Sequence, residues 1–290
     1  MDIPVKTLKN GFQMPVLGLG TWQMGGRHER DPNNNDEADI RAIRAAIDLG
    51  LTEIDTAEQY ANGYSEELLG RAIKDIARSK LFLMSKVMAI HMKYDDLIEA
   101  CRKSLDRVGT SYFDMYLLHR VPPGSMEEAV KALDDLMSEG LIKRIGVANF
   151  GIDSLRRVQG FTKHSISYDQ VHYNLEFREP ERAGLLDYCQ SNDILLAAWR
   201  PVQKGALLTN PPAILTELCI KYQKTPAQIA INWVLCQKNV VTLVKSSNVE
   251  HLKENLGALG WQMDPEDVEL VRREYPNQKS VSDAVPLDAQ

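Results

Sequence analysis

Asp55, Lys86 and His119 each close an apolar run, LTEIDTA, LFLMSKV and YFDMYLLH, and Tyr60 lies five residues beyond Asp55. An aspartate and a lysine at the ends of neighbouring strands could pair across a site that partly excludes water. The ammonium would then stand beside a phenol, favour the phenolate and bring Tyr60 down from its reference pKa of about 10. A tyrosine tuned in this way is a usable proton donor near neutral pH. His119 could hydrogen-bond a carbonyl oxygen or adjust the tyrosine. Together the four suit protonation of an oxygen on which negative charge develops, as when hydride reduces a carbonyl. Each alone has an ordinary explanation. An aspartate at a strand end often caps a helix, a loop tyrosine usually fills surface or core, and a histidine after an apolar strand is commonly a satisfied core residue. Lys86 is harder to explain away, because lysine is rarely buried.

The same kind of ending recurs along the chain. IKRIGVANF closes on Asn149, YDQVHYN carries Gln170, ILLAAWRP carries Trp199 and VVTLVKSS carries Lys245, which makes seven such segments. Helix-like stretches separate them, several stopped at a glycine such as Gly50, Gly109 or Gly140, a C-cap signal. Strands that alternate with helices and all end in polar residues describe an α/β fold, a parallel (β/α)8 TIM barrel with its site at the C-terminal mouth. A doubly wound open sheet is the competing architecture, but there the polar residues would gather at one switch point.

Residues 1–16 read as an N-terminal hairpin that would close the bottom of the barrel. Its arms, VKTL and FQMPVLGLG, flank Asn10-Gly11, the favoured pair for a type I′ turn. A long polar loop, Gly25 to Asp36, precedes the first helix; such loops are usually functional or mobile. Extra helices near the C-terminus lead into a short polar tail, residues 275–290. No Pro/Gly/Ser-rich linker divides the chain, so residues 1–290 read as a single domain.

Composition narrows the function classes. The 290 residues are 44% hydrophobic and 26% charged, with a net charge of −6, an ordinary globular balance without the basic patch of a nucleic-acid binder. A chain of this length can bury a core without disulfides or metals. Cys101, Cys189, Cys219 and Cys236 lie far apart, with no C-x-x-C spacing and no histidine at a metal-ligand offset, so they read as reduced thiols packed in helices and no metal is expected. The N-terminal segment is polar and lacks a signal-peptide core, and no apolar stretch of about 18 residues suggests a membrane span. A cytoplasmic monomer is the expectation.

IDTAEQYANGYSEELLG, LMSKV, YLLHR, GVANF, QVHYN and VKSSNVEHLKENL resemble the aldo-keto reductase superfamily, in order and across almost the whole chain. GFQMPVLGLGTW and LDRVGTSYFDMYLLH match as well. The resemblance implies a barrel that binds NADPH without a dinucleotide fingerprint; Gly18-Leu19-Gly20 indeed lacks the third glycine and following helix. It implies that Asp55, Tyr60, Lys86 and His119 form the catalytic tetrad, with Tyr60 as general acid for reduction. It implies that Asn149 and Gln170 hold the nicotinamide carboxamide and that Trp199 stacks on the ring, where a tyrosine is usual. Lys245 and Ser246 match positions that bind the 2′-phosphate, Glu254 and Asn255 those that contact adenine, and Trp22 a substrate-pocket aromatic.

The chain departs from the family pattern at four places. Ala148 replaces a serine beside Asn149, which removes one carboxamide hydrogen bond. Arg120 follows His119 where tryptophan is common, and Arg200 replaces a small residue after the stacking aromatic. His251 stands where an arginine often grips the 2′-phosphate, and an imidazole is the weaker ligand, so NADH stays open as a second cofactor. If Arg120 and Arg200 line the mouth, they would favour an acidic substrate or a cofactor phosphate; each could instead face solvent or pair with a nearby carboxylate. The short tail would leave the pocket open and broadly selective. The reading is therefore NADPH-dependent reduction of small aldehydes and ketones. Its rivals are a nucleotide-binding sensor on the same fold with slow turnover, and a lyase using Lys86 as a Schiff base.

Overall fold

The computed structural model describes residues 2–289; Met1 of the expected hairpin and Gln290 of the expected tail lie outside them. Eight parallel strands close into a barrel: β3 (Leu17–Gly20), β4 (Glu53–Asp55), β5 (Phe82–Val87), β6 (Met115–Leu118), β7 (Ile145–Ala148), β8 (Tyr168–His172), β9 (Leu195–Trp199) and β10 (Val240–Val244), with β10 pairing back to β3. Around them run α1 (Asp36–Asp48), α2 (Tyr64–Ile73), α3 (Tyr94–Val108), α4 (Met126–Ser138) and α5 (Ile152–Phe161). The circuit continues with α6 (Glu179–Arg182), α7 (Leu185–Ser191), α8 (Ala206–Thr209), α9 (Ala213–Tyr222), α10 (Pro226–Cys236), α11 (Val249–Leu256) and α12 (Pro265–Glu274). The four cysteines are free thiols in α3, α7, α9 and α10.

Local chemistry explains the boundaries. Asn35 and Ser125 cap α1 and α4 by accepting from Ala38 N and Glu128 N, and Thr225 with Gln228 forms a capping box at α10. The main core packs the outward strand faces against the helices; a second cluster, including Met84, Met115, Leu117 and Val241, fills the barrel itself. The hairpin plugs that inner cluster from below with Leu8, Phe12 and Met14.

Two expectations are corrected at the N-terminus. FQMPVLGLG is not one arm: Gln13–Pro15 (β2) pairs antiparallel with Val5–Thr7 (β1), and the chain then breaks at Val16 so that Leu17–Gly20 begins the barrel. The hairpin turn is not type I′ either. Leu8 N donates to Phe12 O and Gly11 N to Leu8 O, and Gly11 has φ 84° while Asn10 is not left-handed. That is a three-residue loop, a type I turn followed by a left-handed glycine, which fits the strand register Thr7↔Gln13. No helix among the described residues is long and apolar enough to cross a membrane.

Candidate active site

Side chains alternate along a strand, so each barrel strand presents every second residue to the interior. On β4 these are Glu53 and Asp55, on β5 Met84 and Lys86, and on β8 Tyr168 and Gln170; His119, Asn149 and Lys245 each follow their strand by one residue. The upper members converge. Asp55, Tyr60, His119, Asn149, Gln170 and Trp199 line one cavity of about 680 Å³, and Lys245, Ser246, His251, Glu254 and Asn255 line its continuation. Trp22, Arg120 and Arg200 line it too, and Arg200 also pairs with a nearby carboxylate, the alternative left open for both arginines.

Lys86 is fully buried behind the lining residues Asp55 and Tyr60. Its ammonium donates to Asp55 Oδ1 at 2.6 Å, Thr56 O at 3.0 Å and the Tyr60 hydroxyl at 3.1 Å. Burial alone would lower its pKa, but the Asp55 carboxylate and the Tyr60 oxygen outweigh it, and the net shift is upward. The phenol itself does not follow the sequence expectation. Burial raises the Tyr60 pKa, the Lys86 ammonium lowers it and Asp55 raises it again, so its net direction is up. The ammonium is close enough, but it acts against a desolvation that periodicity cannot measure. Tyr60 therefore keeps its proton at neutral pH, and that proton has no acceptor among the described residues. Its ring packs edge-on against Trp22 at 4.9 Å and His119 at 5.8 Å. Burial, then Lys86 and Arg120, push the His119 pKa well down, so the imidazole is neutral. Its Nδ1 is buried without a partner among the described residues, which leaves Nε2 to meet a ligand.

The opposite wall is built from amides and rings. Gln170 Nε2 donates to Asp55 Oδ2 at 2.9 Å and to the Tyr168 hydroxyl at 3.1 Å, so its Oε1 remains to accept. Asn149 takes a left-handed φ of 64°, a conformation asparagine tolerates, and donates Nδ2 to His119 O. Its Oδ1 accepts from Trp199 Nε1 at 3.2 Å. Behind Trp199 stand His172, stacked at 4.1 Å, and Phe177, stacked on His172 at 4.3 Å. This backing was not anticipated, although His172 shares the inward parity of Gln170. At the far end Lys245 Nζ donates to Ser247 Oγ, which reaches Asp39, and Ser246 turns the chain toward Asn248, the N-cap of α11.

The tail reaches the pocket in spite of its brevity. Ala284 and Val285 line the cavity, and Asp283 pairs with Arg200 at 3.4 Å and accepts from Gln203. Glu179 holds the tail by accepting from Ser282 N and Leu287 N. Asp288 N then donates to Asn149 O at 2.8 Å, and Gly151 N donates to Asp288 Oδ1 at 2.7 Å. A Cβ at Gly151 would collide with that carboxylate, so a larger residue there would have to displace the Asp288 side chain. The tail is short, but backbone and carboxylate bonds lay it across the mouth.

Glu53 is the residue the sequence should have exposed and did not. It is two positions before Asp55 and so points into the barrel below it. Gly18 makes room: a Cβ there would come within 2.5 Å of the Glu53 carboxyl. Both carboxyl oxygens are buried without a partner among the described residues. Burial, then Asp55, push its pKa well above the carboxylate range, with Lys86 opposing. A carboxyl whose folded pKa is raised contributes fully below its unfolded pKa of about 4.3, and that contribution is lost as pH rises through the folded value. Glu53→Gln is therefore expected to gain stability over wild type as pH rises from 5 to 8.5, by on the order of 1 to 3 kcal/mol. Urea denaturation at both pH values checks this, and a pH-independent difference would contradict it.

With this geometry in view, comparison with known proteins is informative. The model of the Aldo/keto reductase family matches residues 16–275. The methylglyoxal reductase YeaE of Escherichia coli (strain K12) is 32% identical over 270 residues, 92% of this chain and 93% of its own. A thermostable aldo-keto reductase crystallised with the inhibitor epalrestat superposes with a TM-score of 0.89 at 39% identity, covering 93% of this chain and 98% of that one. An aldo/keto reductase from Klebsiella pneumoniae, crystallised with NADP and acetate, gives 0.85 at 30% identity, covering 98% and 99%. Barrel, motif order and these relatives agree: the chain belongs to the aldo/keto reductase family, and it is an oxidoreductase fold of the (β/α)8 type.

Proposed function

We propose that the protein reduces small aldehydes and ketones to alcohols with NADPH, Tyr60 being the proton donor. The observation that supports this reading is the chain of contacts Asp55–Lys86–Tyr60, which ends on a hydroxyl facing the cavity with its proton free. Reduced nicotinamide supplies the hydride when bound. Gln170 Oε1 and the Asn149 amide suit its carboxamide, and the indole of Trp199, backed by His172 and with the Arg200 guanidinium 5.0 Å from its centroid, suits its ring. Lys245, Ser246 and the first turn of α11 suit an adenosine 2′-phosphate, with His251 nearby. The Klebsiella relative with NADP bound supports the same cofactor.

In the reaction Tyr60 gives its O–H proton to the carbonyl oxygen as charge develops there. Lys86 then faces a phenolate, and its buried ammonium, already in hydrogen-bond contact, stabilises that anion. Neutral His119, with its proton on Nε2, would donate to the same oxygen and orient it. The Schiff-base alternative fits poorly: an amine nucleophile must be neutral and reachable, whereas Lys86 is charged, buried and held by three acceptors. The test is NADPH consumption with a panel of small aldehydes, with the alcohol formed in equal amount. Tight NADPH binding without consumption would instead leave the nucleotide sensor.

A further inference from the structure

Arg120 and Arg200 both line the cavity, but the structure separates them. Arg200 is neutralised by Asp283 of the tail. Arg120 has no ion-pair partner among the described residues, and its charge reaches His119 strongly enough to help keep that imidazole neutral. The acidic residues that share the cavity lining do not offset it. Asp55 is committed to Lys86, and Glu254 belongs to α11 at the other end.

The barrel order shows what this charge faces. Going round from β10 the strands are β3, β4, β5 and then β6, so β6 stands directly across the mouth from β10. Arg120 follows β6, whereas Lys245 and Ser246 follow β10. A nucleotide lying from Trp199 toward Lys245 carries its phosphates along β9 and β10, away from Arg120. What remains within reach of the guanidinium is the substrate. Arg120 is the next residue after His119, and consecutive Cα atoms are about 3.8 Å apart. A carbonyl oxygen seated between Tyr60 and His119 thus places the rest of a small molecule beside Arg120.

We infer that the substrate is a small carbonyl compound that carries an anionic group, carboxylate or phosphate, bound by Arg120. This rests on the reductase reading above. The guanidinium fork matches either group with two parallel N–H donors. The pairing acts inside a cavity whose lining carboxylates are Asp55, committed to Lys86, and the distant Glu254, and there a charge-assisted hydrogen bond counts for more than at an open surface. Arg120 is here a specificity-determining residue; it takes no part in the proton transfer.

The experiment compares matched pairs with NADPH: succinate semialdehyde against its methyl ester, and glyceraldehyde 3-phosphate against glyceraldehyde. Wild type, Arg120→Met and Arg120→Lys are assayed for kcat and KM on each. Wild type is expected to prefer the anionic member. In Arg120→Met the anionic-over-neutral ratio of kcat/KM should fall by about 10- to 100-fold, chiefly through KM, and Arg120→Lys should restore part of it. The neutral member of each pair reports any general loss from misfolding. The pair that carries the effect tells carboxylate from phosphate. A ratio that does not move in either pair overturns the inference while leaving the reductase standing. Failure of wild type to reduce any of the four compounds removes the reductase reading and this inference with it.

Discussion

Tyr60→Phe is expected to lower kcat/KM for aldehyde reduction by about 10²- to 10⁴-fold while NADPH still binds. The substitution removes one oxygen and keeps the ring that packs against Trp22 and His119, so the loss belongs to the proton and not to the wall of the cavity. Steady-state rates and cofactor titration on the same preparation separate the two. The pH profile carries the sign of the correction made above. Reduction needs the protonated phenol, and burial moves its loss of the proton upward. The wild-type rate should therefore hold through neutral pH and decline only above the ordinary tyrosine range of about 10. Retention of most activity in the phenylalanine variant would transfer the donor role to His119.

The second large effect is on stability. Lys86→Met leaves the Asp55 carboxylate buried, 2% exposed, with only Gln170 among the described residues as a hydrogen-bond donor to its side chain. Breaking a buried pair by removing one partner costs about 3–5 kcal/mol, so the variant should unfold at clearly lower urea. Adding Asp55→Asn removes the stranded charge and should recover much of that loss without recovering turnover. The sign with pH follows from Lys86, whose folded pKa is raised. Its contribution is complete below the unfolded value of about 10.4 and is lost as pH rises through the folded one, so the gap between wild type and Lys86→Met is full at pH 7 and closes only in strong alkali. A double variant no more stable than the single one would show that the ion pair is not what holds this part of the barrel.

The barrel was legible because seven strands end in residues that a core would not otherwise tolerate, and their parity then aims them inward. The eighth strand, Leu17–Gly20, has no such ending and two glycines, so it was absorbed into the hairpin before it. Parity also held the signal for Glu53 and His172, each two residues from a recognised position on its strand. What the pattern could not contain is the tail. Asp288 meets Asn149 and Gly151 across more than a hundred residues, through a backbone N–H and one carboxylate, and nothing periodic marks such a contact. Nor could residue types alone weigh burial against one ammonium at Tyr60, which is why the proximity was legible and the direction of its pKa was not.

Trp199, backed by His172 and tethered to Asn149, also gives the protein a spectroscopic handle. Of its four tryptophans, Trp233 is buried beside α12 and Trp261 packs on Tyr222, both outside the cavity lining, while Trp22 and Trp199 border it. An indole stacked on imidazole at the edge of the cavity is a fluorescence donor, and a reduced nicotinamide bound as proposed above would be its acceptor. A tyrosine at the same place would emit weakly and at shorter wavelength. A cofactor bound there as proposed would make its arrival and departure visible in real time, without a label and without turnover.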